Sequence, residues 1–196
     1  MKNYSQYIGE ALIPLLGFYY WNWSWYFILL FYILDAVAKV VVLHLKSNKI
    51  LQTQGGETTR SVWIRSGSIT AAVDLVIVTL LHLMYSMNHP EFNLGNEVMA
   101  FVSHKEMGIA QGWFLIPVVI LGVWLQYQFT FLKLKLHTKT QMSILWREHL
   151  QFRSVVLGTV VLGSIIHYFF SLNDLVFVWV SVLLPFLSTY IFSRLR

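Results

Sequence analysis

Four charged residues in this sequence stand inside long apolar stretches: Glu10, Asp35, Lys39 and Asp74. A charge at mid-membrane costs about 2.5–3.5 kcal/mol on insertion scales, so each needs a reason to be there. Asp35 and Lys39 are four residues apart, on one face of a helix, with the acid N-terminal to the base. That spacing has two readings. One is an ion pair that lowers its own insertion cost while Lys39 snorkels toward the aqueous boundary. The other is a site for an ion, a proton or a polar headgroup. At 1.5 Å per residue, Glu10, Lys39 and Asp74 lie about 9 Å inside the same ends of their helices, with Asp35 a turn deeper. Consecutive helices usually neighbour one another, which predicts a single charged cluster between the first three.

His82 and His167 form a second pair, each about 21 Å from that same end, in the opposite leaflet. Imidazole suits zinc, copper, iron and nickel. Neither histidine has a further ligand one turn on: Tyr85 and Ser86 follow the first, Phe170 and Ser171 the second. A hydrogen bond to a neighbouring helix is therefore the favoured reading, and no metal or other cofactor is expected. His44, His89, His104, His137 and His149 fall near interfaces or in loops and share no metal spacing. There is no cysteine, which excludes disulfides, thiolate nucleophiles and cysteine-held metals. Arg65, Ser66, Gly67 and Ser68 make neither a nucleophile elbow nor a phosphate loop. No catalytic residue is assigned, and an enzyme ranks last among the function classes.

The elements that carry these residues follow from composition. The 196 residues are 57% hydrophobic and only 12% charged, with a mean hydropathy of +0.60. Soluble domains carry about 25% charge, so this chain cannot clothe a water-soluble globule. A spanning helix needs about 20 apolar residues. That ruler predicts an all-α, polytopic membrane bundle of about six transmembrane helices, near 4–20, 25–45, 68–87, 108–131, 154–171 and 174–192. The first is the weakest because Glu10 and Pro14 interrupt it, and no small-residue cleavage site follows it, so a cleavable leader is not expected. No internal loop is long enough for a second domain. Residues 93–107 fit a short amphipathic helix on the outer surface, with Leu94, Val98, Phe101 and Val102 at helical spacing.

Charge placement orients the bundle. The segments 46–67 and 132–153, expected to be loops, carry Lys46, Lys49, Arg60, Arg65, Lys133, Lys135, Lys139, Arg147 and Arg153. The stretch 88–107 instead carries Glu91, Glu97 and Glu106 against Lys105. With six spans every basic cluster falls on the cytoplasmic side, and both termini with them. The basic loops are expected to touch anionic lipid. Trp21, Trp23 and Trp25 crowd the first external turn, where amphipathic rings anchor at the headgroup boundary. Nucleic acid is not an expected partner, since base stacking needs a basic groove beside the rings and this turn has none.

The opening hairpin, with Pro14, Gly17, Trp25, Tyr32 and Asp35, resembles the start of a family of small bacterial multi-pass membrane proteins with no assigned function. In that family an acidic residue follows an aromatic pair on a long second helix, and an amide follows the acid. Here no amide follows. The resemblance implies a bacterial cytoplasmic membrane and adds no biochemical activity. Two functions remain: a non-enzymatic membrane component that binds a protein partner or a second copy of itself, and a small transporter or channel using Glu10, Asp35, Lys39 and Asp74. The first leads, because so compact a bundle has few polar residues left to line a path.

Overall fold

The computed structural model describes residues 4–103, 105–106, 109–170, 172–180 and 182–183; of 4–11, 105–106 and 109–112 only the backbone is described. Six helices are delimited: α1 (Tyr4–Tyr20), α2 (Trp25–Gln54), α3 (Glu57–Asn88), α4 (Leu94–Ser103), α5 (Gln111–Gln126) and α6 (Met142–Phe170). A π-helical turn, Tyr127–Leu132, prolongs α5, and 174–180 is again helical. Lys105–Glu106 and Ile109–Ala110 form a two-residue antiparallel ladder. Four helices are long and apolar enough to cross a membrane: Trp25–Gln54, Glu57–Asn88, Trp113–Leu132 and Met142–Phe170. This is a helical membrane protein. The last expected span, 174–192, extends beyond the described residues, as do both termini.

Local chemistry explains the boundaries. The Ser24 hydroxyl accepts a hydrogen bond from the Phe27 N–H at 3.1 Å and caps α2. The helix stops at Gly55, whose N–H bonds the Leu51 carbonyl at 2.9 Å. Gly55 and Gly56 take φ of +65° and +93°, a conformation that glycine adopts without a steric penalty. Those two residues turn the chain directly into α3. The Asn93 side chain caps α4 by accepting from the Asn96 N–H at 3.1 Å.

The helices correct one expectation. Segments 46–67 and 132–153 are not basic loops; most of each is helix, so that α2 and α3 run 30 and 32 residues. At 1.5 Å per residue each is about 45 Å long, well beyond a hydrocarbon core of about 30 Å. The cause lies in buried residues at helical spacing outside the apolar spans. Ser47 and Ile50 on α2, and Met142 and Trp146 on α6, join Val42, Leu43, Val123, Tyr127 and Phe131 in or against a second core. A first, aromatic core occupies the other end, with Trp23, Trp25, Tyr26, Phe27, Phe31, Tyr85, Phe101 and Phe177.

Helix α6 packs chiefly along α3. Trp146 lies against Gly67, Arg153 against Asp74, and Ser164 against Met84, so the two helices advance in step and run parallel. Tyr26 meets His82 and His44 meets Trp63, so α2 runs antiparallel to α3. Large apolar side chains on the outer faces, among them Leu75, Trp113, Leu121, Leu162 and Phe169, are exposed. A bilayer covers such a surface at no cost.

Candidate functional site

Between the two apolar cores lies a polar layer built from α2, α3 and α6. Asp74 on α3 faces Arg153 on α6, with Arg153 Nε 3.0 Å from Asp74 Oδ1 and side chains only 10% and 27% exposed for Arg153 and Asp74. The contact is ionic and lies off the line of a good hydrogen bond. On α2, Lys39 Nζ lies 2.7 Å from Asp35 Oδ2, one turn apart on the same face. The antiparallel register of α2 and α3 sets Asp35 at about the height of Asp74. The side chain of Glu10 lies outside the described residues.

Of the four charges expected to cluster, the three with described side chains lie in two ion pairs, Asp35 with Lys39 and Asp74 with Arg153. Asp35 pairs with Lys39 on its own helix; Asp74 pairs with Arg153, on a segment expected to be a basic loop. The neighbour rule pointed to the first three helices, whereas α3 buries its polar face against the last long one. Trp146, Arg153 and Val160 recur at seven-residue spacing and are buried. That stripe was available in the sequence as a signal, although it begins before the apolar span.

Below the Asp74–Arg153 pair, toward Gly55, the same seam holds aromatic and imidazole groups. The Trp63 indole N–H donates to His44 Nδ1 at 2.8 Å. The Trp146 indole N–H donates to the Ser47 hydroxyl at 3.0 Å, and Ser47 passes its own proton to the Leu43 carbonyl at 2.9 Å. The His44 ring meets Trp146 edge-on at 5.3 Å. Gly67 makes this approach feasible, since a Cβ there would stand 3.1 Å from His44 Cε1. Thr70 Oγ1 and His149 Nε2 are buried without a hydrogen-bond partner among the described residues. The parallel register puts Thr70 and His149 at one level, between Trp146 and Arg153.

The two expected histidines are each occupied by protein. His82 Nε2 lies 2.6 Å from the Tyr26 hydroxyl, and its Nδ1 lies 2.7 Å from the Val78 carbonyl. The tautomer with the proton on Nδ1 satisfies both bonds. His167 is buried, with Nδ1 accepting from the Leu172 N–H at 3.0 Å and its ring edge-on to Phe177. These bonds fix the aromatic end of the bundle. Among the described residues no three of His, Asp and Glu gather where they could hold a metal ion.

The indoles at the first turn need a correction. Trp23 and Trp25 are each 2% exposed and face protein rather than headgroups. Trp25 stacks on Phe177 at 4.6 Å, and Trp23 lies over Gly17 and against Phe27 at 4.4 Å. Trp21 is partly covered against Trp23, which leaves Tyr19 and Tyr20 as the exposed rings of that turn. Tight helix reversal turns the indoles inward, where each buries more apolar area than the boundary would allow.

A second missed network closes this end. His89 Nε2 lies 3.1 Å from Asp174 Oδ2 and stacks on Tyr85 at 4.2 Å. Asn88 donates to the Leu172 carbonyl at 3.1 Å. Together they tie segment 172–180 to the end of α3. Hydroxyls elsewhere are committed to helix backbone: Ser47, Ser68, Thr79, Ser154, Thr159 and Ser164 each donate to the carbonyl four residues back. No protein-family model, no curated protein and no solved structure matches this chain.

Proposed function

We propose that this protein is a non-enzymatic membrane component, a bundle of about six spans with both termini in the cytoplasm, whose intramembrane charges hold its helices together. One observation carries the reading: Asp74 and Arg153, on different helices, are 3.0 Å apart and largely withdrawn from the surface. A transport site must exchange a partner for its cargo, whereas a pair that is already neutral needs nothing further. Asp35 and Lys39 are likewise paired, within α2. The Gly55 end, with its lysines and arginines, then faces anionic lipid in the cytoplasmic leaflet. The family resemblance makes that membrane the bacterial cytoplasmic one. The function left to such a bundle is binding, to a protein partner or to a second copy, and not to nucleic acid.

A second reading has its own observation. Thr70 Oγ1 and His149 Nε2 are buried polar atoms without partners beside an ion pair. Polar groups so placed usually bind water or an ion, as they would in a small proton or cation transporter. Proteoliposomes loaded with a pH-sensitive dye separate the two. Wild type, D35N/K39M and D74N/R153M are all expected to leak protons and alkali cations no faster than empty vesicles. Flux through wild type that the neutral variants abolish would overturn the structural reading and establish transport.

A further inference from the structure

We infer that the groove between α3 and α6 at the Gly55 end seats one anionic phospholipid. Its phosphodiester would lie between Arg65 and Arg147, and its acyl chains on Ile69, Leu150 and Val155. The groove measures about 610 Å³ and is open. Its lining is graded along the helix axes. Val62, Arg65 and Ser66 on α3, with Ser143 and Arg147 on α6, line the part nearer Gly55, and Ile69, Leu150 and Val155 line the rest together with Gln151 and Ser154. The parallel register places Arg147 near the height of Ser68, where the apolar stretch of α3 begins. Both guanidiniums therefore stand at headgroup depth, and Ile69, Leu150 and Val155 stand at acyl-chain depth.

Charge complementarity selects the occupant. Among the described residues two arginines line this groove and no carboxylate does. Among the described residues neither Arg65 nor Arg147 has an ion-pair partner, unlike Arg153. Guanidinium matches a phosphodiester through paired N–H donors, and Arg is weakly enough hydrated to give up water at an interface. A zwitterionic lipid offers the same phosphate but brings its own cation, which two arginines repel. This inference rests on the proposed placement of α3 and α6 in the bilayer, and not on the role given to the buried charge pairs.

The full chain is reconstituted in vesicles of equal parts phosphatidylcholine and phosphatidylglycerol. It is then extracted in mild detergent and weighed by native mass spectrometry for retained lipid. Each cation near an anionic lipid is worth about fivefold, so R65Q/R147Q is expected to lose phosphatidylglycerol preference by about 30-fold. K133Q/K139Q, which removes equal charge elsewhere, is expected to keep it. Equal loss in both variants would overturn the seat in favour of diffuse attraction. Equal retention of the two lipids by wild type would overturn it as well. So would uptake of inorganic phosphate by lipid-free protein that R65Q/R147Q abolishes, since the groove would then hold a free anion. If R65Q/R147Q fails to fold, a photoactivatable phosphatidylglycerol is applied to wild type. Labelling of 62–69 and 143–155 is expected, and labelling confined to other segments overturns the seat. Failure of the membrane placement reads differently, because no lipid of either kind would then be retained.

Discussion

Replacing Arg153 with Met keeps an unbranched apolar stem on α6, shorter than arginine, and removes the cation that faces Asp74. At 3.0 Å and an effective dielectric constant of about 20, their attraction is about 5 kcal/mol before desolvation is counted. Orphaning one member of such a pair typically costs about 3–5 kcal/mol. The carboxyl has one escape, which is to bind a proton. At pH 7 that costs about 1.4 kcal/mol for each unit above the ordinary aspartate value of about 3.9, or about 4 kcal/mol in all. The loss in R153M is therefore capped near that figure at pH 7. It falls to about 1.5 kcal/mol at pH 5, where the proton is cheaper. The sign is that of a group that binds its proton in the folded variant: stability is greater at low pH and declines as pH rises. D74N/R153M removes charge and counter-charge together and is expected to recover most of the loss, with a coupling energy of about 3 kcal/mol. The assay is a denaturant titration of the detergent-solubilised chain, followed by indole fluorescence, with wild type and both variants at pH 7 and pH 5. A double variant as unstable as the single one, or a loss in R153M that is the same at both pH values, would refute the pairing argument.

Three further outcomes test other parts of the structure. Tyr26→Phe removes the 2.6 Å bond to His82 Nε2 and should cost about 1–3 kcal/mol in the same titration, as for any buried polar group left unpaired. Gly17→Ala puts a methyl inside the Trp23 indole and should cost about 1–3 kcal/mol, whereas Gly158→Ala, which meets open space, should be neutral or stabilising. A reporter active only in the cytoplasm should be active when fused after Arg196 and silent when inserted at Asn93; the reverse at either site rejects the proposed orientation.

Much of the helical layout was legible because lipid leaves few alternatives. Long, mostly apolar runs have to be helices, and the four long membrane helices each cover one such run. Helix ends were less visible, because hydropathy marks where lipid stops rather than where backbone hydrogen bonding stops. Nothing in 46–54 breaks a helix until Gly55, and Ser47 and Ile50 continue the buried face that begins at Val42 and Leu43. The facing of the aromatic turn is hidden in the sequence for a related reason. Composition places Trp23 and Trp25 at the end of a span, but which way an indole faces depends on Gly17 and Phe177, and Phe177 lies far off in sequence.

The pairing of Asp74 shows why a charged site is harder to read than the helix that carries it. Depth along a helix follows from counting residues, and that count puts Lys39 level with Asp74 and Asp35 a turn deeper, whereas the register of α2 and α3 sets Asp35 level with Asp74. Azimuth does not follow from counting. Whether Asp74 turns toward Lys39 or Arg153 depends on which helix α3 chooses as its close neighbour. Gly67 contributes to that choice by admitting His44 and Trp146 side by side. Once α6 lies parallel to α3 with Trp146 at Gly67, seven residues of rise bring Arg153 to Asp74, because both helices climb about 10 Å over that interval. The ion pair is thus a consequence of one close contact two turns away. Closing that contact with Gly67→Leu should separate Asp74 from Arg153 without touching either.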